Sequence, residues 1–182
     1  MDNGESSYRR FLEGDEGGFD ELVAMYREPL INFINGFLHN LAESEDVAED
    51  AFLELIVHPK RYSFRSSLKT YLFTVARNKA VDRIRKEKKI SYSPIDDMTE
   101  ESEKALEEYI FENERSALLH RALGKINPEY AAALRLIYFE NMSGEEAARV
   151  LGKSKRQLSN ITYRAKIALK RAMEEEGFCY EK

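Results

Sequence analysis

Lys155, Arg156, Ser159, Asn160, Tyr163, Arg164 and Lys166 crowd into one short stretch, and they are the side-chain types that hold phosphates and read base edges. Arg156, Asn160 and Tyr163 are spaced i, i+4 and i+7, so a helix would carry all three on one face. An arginine matches the two acceptors of guanine, and an asparagine matches the donor and acceptor of adenine. Lys166, farther along, is better placed for phosphate. Such a face needs a helix presented by a scaffold, and the segment Met142–Arg171, MSGEEAARVLGKSKRQLSNITYRAKIALKR, supplies one. Ser143 with Glu146 forms a capping box that starts a short helix packed through Ala147, Ala148, Val150 and Leu151. Gly152 ends it, and Ser154 with Gln157 forms a second box. Leu158, Ile161, Ala165, Ala168 or Leu169, and Ala172 then recur at helical spacing and are expected to face the first helix. The pattern is a helix-turn-helix, which points to DNA; the plainer alternative is a capped helical hairpin with a solvated basic side.

Two further constellations precede it. Tyr62, Phe64 and Tyr71 lie among Lys60, Arg61, Arg65 and Lys69, a mixture that grips single strands by charge and aromatic stacking. Core packing is the competing role for Phe64 and Tyr71. Asp46, Glu49 and Asp50, beside Phe52 and Leu53, would give a helix an acidic and apolar side suited to a basic protein partner, although Phe52 fits a core equally well. As metal ligands these carboxylates lack a His or Cys at matching spacing, because His39, His58 and His120 are scattered. No phosphate-binding glycine loop or activated nucleophile is visible, and Gly17-Gly18 reads as a turn. We therefore expect no enzyme, no metal and no cofactor.

The chain has 182 residues and a net charge of -5, which hides a strong alternation. Residues 1–58 carry 3 Lys+Arg against 14 Asp+Glu, and residues 59–89 carry 11 against 2. Residues 90–114 return to 1 against 9, residues 115–173 to 12 against 4, and residues 174–182 to 1 against 4. Two basic segments separated by acid suggest two nucleic-acid contacts, with the acidic blocks facing another protein or holding the free chain off DNA. The one cysteine, Cys179, excludes an internal disulfide and fits a reducing cytosol. The polar start MDNGESSYRR and the lack of a long apolar run give no leader and no membrane insertion, so a cytoplasmic protein is expected.

Helical periodicity organises the rest. Phe19–Asn40 is an amphipathic helix that Pro29 should bend or break. Ser44 is expected to cap a second helix that buries Val47, Ala48, Ala51, Phe52 and Leu55 and ends at His58-Pro59. Ser67 caps a third, with Leu68, Leu72, Ala76, Ala80 and Ile84 repeating every four residues. Residues 91–104 form an acidic linker containing Pro94. A helix over Ala105–Leu123 follows, and a proline-led one after Asn127-Pro128 runs to about Glu140. The expected fold is all-α, two small helical domains over residues 1–90 and 105–182 joined by the linker.

Three of these patches together resemble the bacterial extracytoplasmic-function (group IV) RNA polymerase sigma factors. SEDVAEDAFLEL is similar to that family's AEDLVQETFLRL, SLKTYLFTVARNKAVDRIRK to its TWLYTIARNLAIDHLRR, and SGEEAARVLGKSKRQLSNITYRAKIAL to its terminal helix-turn-helix. The order is the family's across Phe19–Met173, with Glu49 where Gln is usual, Tyr71 where Trp is frequent, and Asn127-Pro128-Glu129 where Leu-Pro is frequent. The resemblance implies core RNA polymerase binding by Asp46, Glu49, Asp50, Phe52 and Leu53. It implies melting and recognition of the -10 element by Arg61, Phe64, Arg65, Lys69, Tyr71, Arg77, Asn78 and Arg85. The -35 element would then fall to Lys155, Arg156, Ser159, Asn160, Tyr163, Arg164 and Lys166. Promoter DNA and core polymerase are the implied partners, with an anti-sigma factor, often membrane-bound in this family, as a further one. A stand-alone helix-turn-helix regulator is the alternative function.

Overall fold

The computed structural model describes residues 4–90 and 114–177, which form helices and turns only, as the all-α expectation requires. Contacts divide the chain into two compact units, Met1–Met98 and Thr99–Lys182. The acidic stretch 91–104, the start of the helix expected from Ala105, and Cys179 lie outside the described residues.

The first unit contains α1 (Glu5–Leu12), α2 (Glu16–Leu38), α3 (Leu41–Val57), a 3-10 turn at Pro59–Arg61, and α4 (Leu68–Ile90). Helix α1 was not expected from the sequence. It is seated by Tyr8, which is fully buried and donates its hydroxyl to the Leu55 carbonyl at 2.9 Å. The expected turn at Gly17-Gly18 is instead the first turn of α2, capped by Asp15, whose carboxylate accepts from the Gly17 N–H at 3.0 Å. The glycine serves a helix crossing: a Cβ on Gly18 would lie 2.2 Å from the Ser7 carbonyl oxygen. Pro29 does not break α2, which runs through it. The residue sits beside exposed Arg27 and Glu28, where water can replace the missing donor, while Tyr26, Leu30, Ile31, Phe33 and Ile34 bury the opposite side.

Ser44 is not the cap of α3. Asn40 takes that role, its side chain accepting from the Glu43 N–H at 3.2 Å, and the helix starts earlier. Ser44 is buried inside the helix and donates back to the Asn40 carbonyl at 2.6 Å. The expected core face of α3 is buried throughout, as are Leu68, Leu72, Ala76 and Ala80 of α4. Ser67 caps α4, accepting from the Thr70 N–H at 3.2 Å.

The second unit contains α5 (Glu114–Lys125), α6 (Pro128–Leu134) continued by a π turn at Arg135–Phe139, α7 (Gly144–Leu151) and α8 (Lys155–Glu175). Its caps follow the sequence reading. Asn127 accepts from the Glu129 N–H at 2.9 Å, both serine capping boxes are present, and Gly152 is left-handed with φ 64°. The apolar side of α8 departs from expectation, because Ala165 and Ala172 pack with Ala122, Leu123 and Ala131 of α5 and α6 rather than on α7. A helix of this length has more apolar surface than the eight-residue α7 can cover. Glu176 fastens the far end to α5, accepting from Lys125 and, at 3.1 Å, from Arg121; these bonds hold its carboxyl below the usual range.

A half-buried basic pair, His120 of α5 and Arg135 at the start of the π turn, lies within this unit. Burial, and then the charge of Arg135, push His120 down to about 4. Burial also pushes Arg135 down to about 10, and its Nε is enclosed without a hydrogen-bond partner. The His120 contribution to stability is therefore complete above its unfolded value of 6.5 and is lost as pH falls toward about 4, because only the unfolded chain takes up that proton in this window. His120→Gln is expected to shrink the drop in thermal midpoint of the second unit between about pH 7 and 5. An equal drop in both proteins would assign the pH dependence to carboxylates.

Candidate nucleic-acid and docking faces

In the second unit the Ser154 box places Lys155 at the first helical position, so the basic cluster begins with the helix. Lys155, Arg156, Ser159, Asn160, Tyr163, Arg164 and Lys166 are all exposed, and Tyr163 is 69% exposed. Helical spacing puts Arg156, Asn160 and Tyr163 opposite buried Leu158 and Ala165. Beside this side runs a groove of about 400 Å³, with Ile137, Gly144, Leu158 and Thr162 below and Lys155, Ser159, Tyr163 and Lys166 along it. The Lys166 ammonium lies 5.2 Å from the ring of Tyr138, itself 52% exposed. Tyr138 escaped the sequence reading because a helix simply continuing to Glu140 gives no reason for its side chain to meet α8. Lys155 pairs loosely with Glu145 at 3.7 Å, both side chains being well exposed.

In the first unit, α3 presents Asp46, Glu49, Asp50 and Leu53 to solvent. Ion pairs involve Glu43, Glu45 and Glu54 instead; among the described residues Asp46, Glu49 and Asp50 have none. Phe52 is not part of this face. It is 5% exposed and its ring meets Phe19 edge-on at 6.1 Å. Ile56 and Val57, 42% and 62% exposed, extend the face. Asp46, Asp50, Leu53 and Val57 follow i, i+4, i+7 and i+11 spacing, a signal that continuing the stripe past Leu53 would have caught.

The aromatic loop between α3 and α4 gathers around Tyr62, which is buried. Its ring lies 4.5 Å from that of Phe64, 5.1 Å from Tyr71 and 5.8 Å from Tyr8. Phe64 and Tyr71 are both half-buried, and burial raises the Tyr71 phenol above its ordinary value. Phe64 has φ 57°, a left-handed backbone that a bulky side chain adopts only where its surroundings hold it. Arg65 is exposed, whereas Arg61 is engaged by Glu54. Lys69 lies 5.8 Å from the Phe73 ring. Along α4, Arg77 donates to the Asn78 side chain at 3.3 Å and its Nε is enclosed without a partner; Arg85 pairs with Asp82 at 3.4 Å.

Among the described residues no group of three or more His, Cys, Asp or Glu side chains is arranged to hold a metal ion, and no helix is long and apolar enough to cross a membrane. Family models match twice: Sigma-70 region 2 over residues 22–90 and Sigma-70 region 4 over residues 116–169. The RNA polymerase sigma factor YlaC of Bacillus subtilis is 26% identical over 157 residues, covering 85% of this chain and 91% of that protein. The ECF RNA polymerase sigma factor SigM of the same organism is 26% identical over 151 residues, covering 83% and 92%. Among solved structures, CnrH in complex with the cytosolic domain of CnrY superposes with a TM-score of 0.69 at 21% identity over 96% of this chain and 99% of that one. The sigma factor RpoE in complex with the anti-sigma factor NepR from Bartonella quintana gives 0.67 at 19% over 86% and 96%.

Proposed function

This chain belongs to the sigma-70 family as an extracytoplasmic-function sigma factor, and from that premise we propose how its faces divide the work of transcription initiation. A sigma factor binds core RNA polymerase and directs it to promoter DNA. The match of region 2 alongside region 4 sets aside the stand-alone regulator, which would need only the second unit. In our reading α3 docks on the polymerase, the aromatic loop with α4 opens the promoter, and the start of α8 reads the upstream element. The observation that carries this division is the α3 face, where three exposed carboxylates and Leu53, Ile56 and Val57 stand without an intramolecular partner element. Charge orients such a surface on a basic partner, and the apolar end supplies burial.

Phe64 and Tyr71 offer aromatic surface next to Arg65 and Lys69, which suits an unpaired strand. We read the chain as an initiation factor acting in the cytoplasm without chemistry of its own. An anti-sigma factor is a natural regulator, since one of the aligned structures named above is of a sigma factor bound to an anti-sigma factor. The decisive experiment adds the chain to purified core polymerase on genomic template and maps the transcript starts. Discrete starts that depend on the added chain are expected; transcription only when another sigma factor is also supplied would overturn the reading.

A further inference from the structure

The aromatic loop has a cover from a part of the chain that lies before the matched region 2: Arg9, in the last turn of α1. Its guanidinium carbon sits 4.2 Å from the centroid of the Phe64 ring. One turn back on the same helix, the Glu5 carboxylate lies 3.1 Å from the Tyr62 hydroxyl and shares that hydroxyl's one proton with the Ser66 carbonyl, which lies at 2.8 Å. Helix α1 thus both clasps Tyr62 and covers the Phe64 ring, whose backbone is the left-handed one. The neighbouring Arg10 is neutralised by Glu21 at 2.6 Å and Asp15 at 3.5 Å, whereas Arg9 has no ion pair among the described residues. A flat cation without a carboxylate therefore rests on the aromatic ring and is exposed on its outer side.

Guanidinium planes stack on aromatic faces and on nucleobases alike, and their edge N–H groups match phosphate oxygens. From this geometry we infer that Arg9 is a strand-binding residue of the promoter-opening site. An unpaired base of the displaced strand stacks on its outer face, and its edge donors reach an adjacent phosphate. The inference deepens the reading of the Phe64 loop and rests on it.

The test uses holoenzyme and forked promoter fragments, built on the mapped start sites, with the non-template strand unpaired. Arg9→Ala is expected to weaken fork binding about 5- to 30-fold, within the range for loss of one base-stacking contact. It should also reduce the salt slope by about 0.7, one phosphate contact on a single strand. Duplex recruitment and core affinity serve as controls and should hold. Arg9→Lys should keep the salt slope while recovering only part of the affinity, since charge remains and the stacking plane is lost. Unchanged or tighter fork binding by Arg9→Ala overturns the inference, as does an equal loss on duplex and fork or a loss tracking a lowered thermal midpoint. Phe64→Ala separates the two levels. If it reduces permanganate reactivity of unpaired thymines while Arg9→Ala is silent, only the role of Arg9 falls; if it too is silent, the reading of the loop falls with it.

Discussion

Reversing Asp46 and Asp50 to lysine together is expected to weaken binding to core polymerase by about 100-fold or more, the scale of interfacial charge pairs that become like-charge contacts. Both side chains are exposed and neither has an intramolecular ion-pair partner among the described residues, so thermal unfolding should move by no more than about 0.5 kcal/mol. The apolar end of the same stripe gives an independent arm. Leu53→Ser with Val57→Ser should also weaken the complex, but with little dependence on salt, since those side chains contribute area rather than charge. Unchanged core affinity in both double variants, measured with folded protein, would remove α3 from the polymerase interface.

Arg156→Ala is expected to cost about 1–3 kcal/mol at the upstream promoter element and to relax the preference at one base pair. Lys166→Ala should weaken binding to every sequence and flatten its salt dependence. Both are to be measured in a holoenzyme. Since the Lys166 ammonium rests near the Tyr138 ring, Tyr138→Ala offers a further comparison: freeing the lysine should leave the base preference untouched. A uniform loss across promoter variants for Arg156→Ala would reduce that residue to a phosphate contact.

What the sequence made legible was local. Ser143 with Glu146, Ser154 with Gln157, and Asn127 before Pro128 satisfy backbone donors within three residues, so distant structure has little power to override them. The same logic misled at Ser44, because Asn40 offered an equally good cap four residues earlier and tertiary burial of Ser44 favoured the longer helix. Pro29 and Gly18 share another cause of error. Each is a helix breaker in isolation, yet one is compensated by the buried residues around it and the other is required by the backbone of α1. At the sites, exposure of the α8 cluster followed from periodicity alone, but Phe52 sits between the core stripe and the outer stripe of α3, and only its contact with Phe19 decides its direction. Arg9 had no motif to announce it, since its importance lies in a ring more than fifty residues away in the chain.

An eight-residue helix has almost no stability as an isolated element, because nucleation costs more than so few backbone bonds return. Helix α1 exists through its docking: Tyr8 on Leu55, Ser7 on Glu21, and the bare backbone of Gly18 beneath it. Its release is therefore expected to be an all-or-none local opening, read as joint hydrogen exchange of its amides, in which the Glu5 clasp and the Arg9 cover leave the loop together. The fraction of molecules with an assembled aromatic loop is then set by a pre-equilibrium at the amino terminus. A sequence change that itself touches no DNA, such as one that crowds Gly18 against the backbone of α1, is then expected to alter how often the aromatic loop is assembled without altering how well the assembled form works.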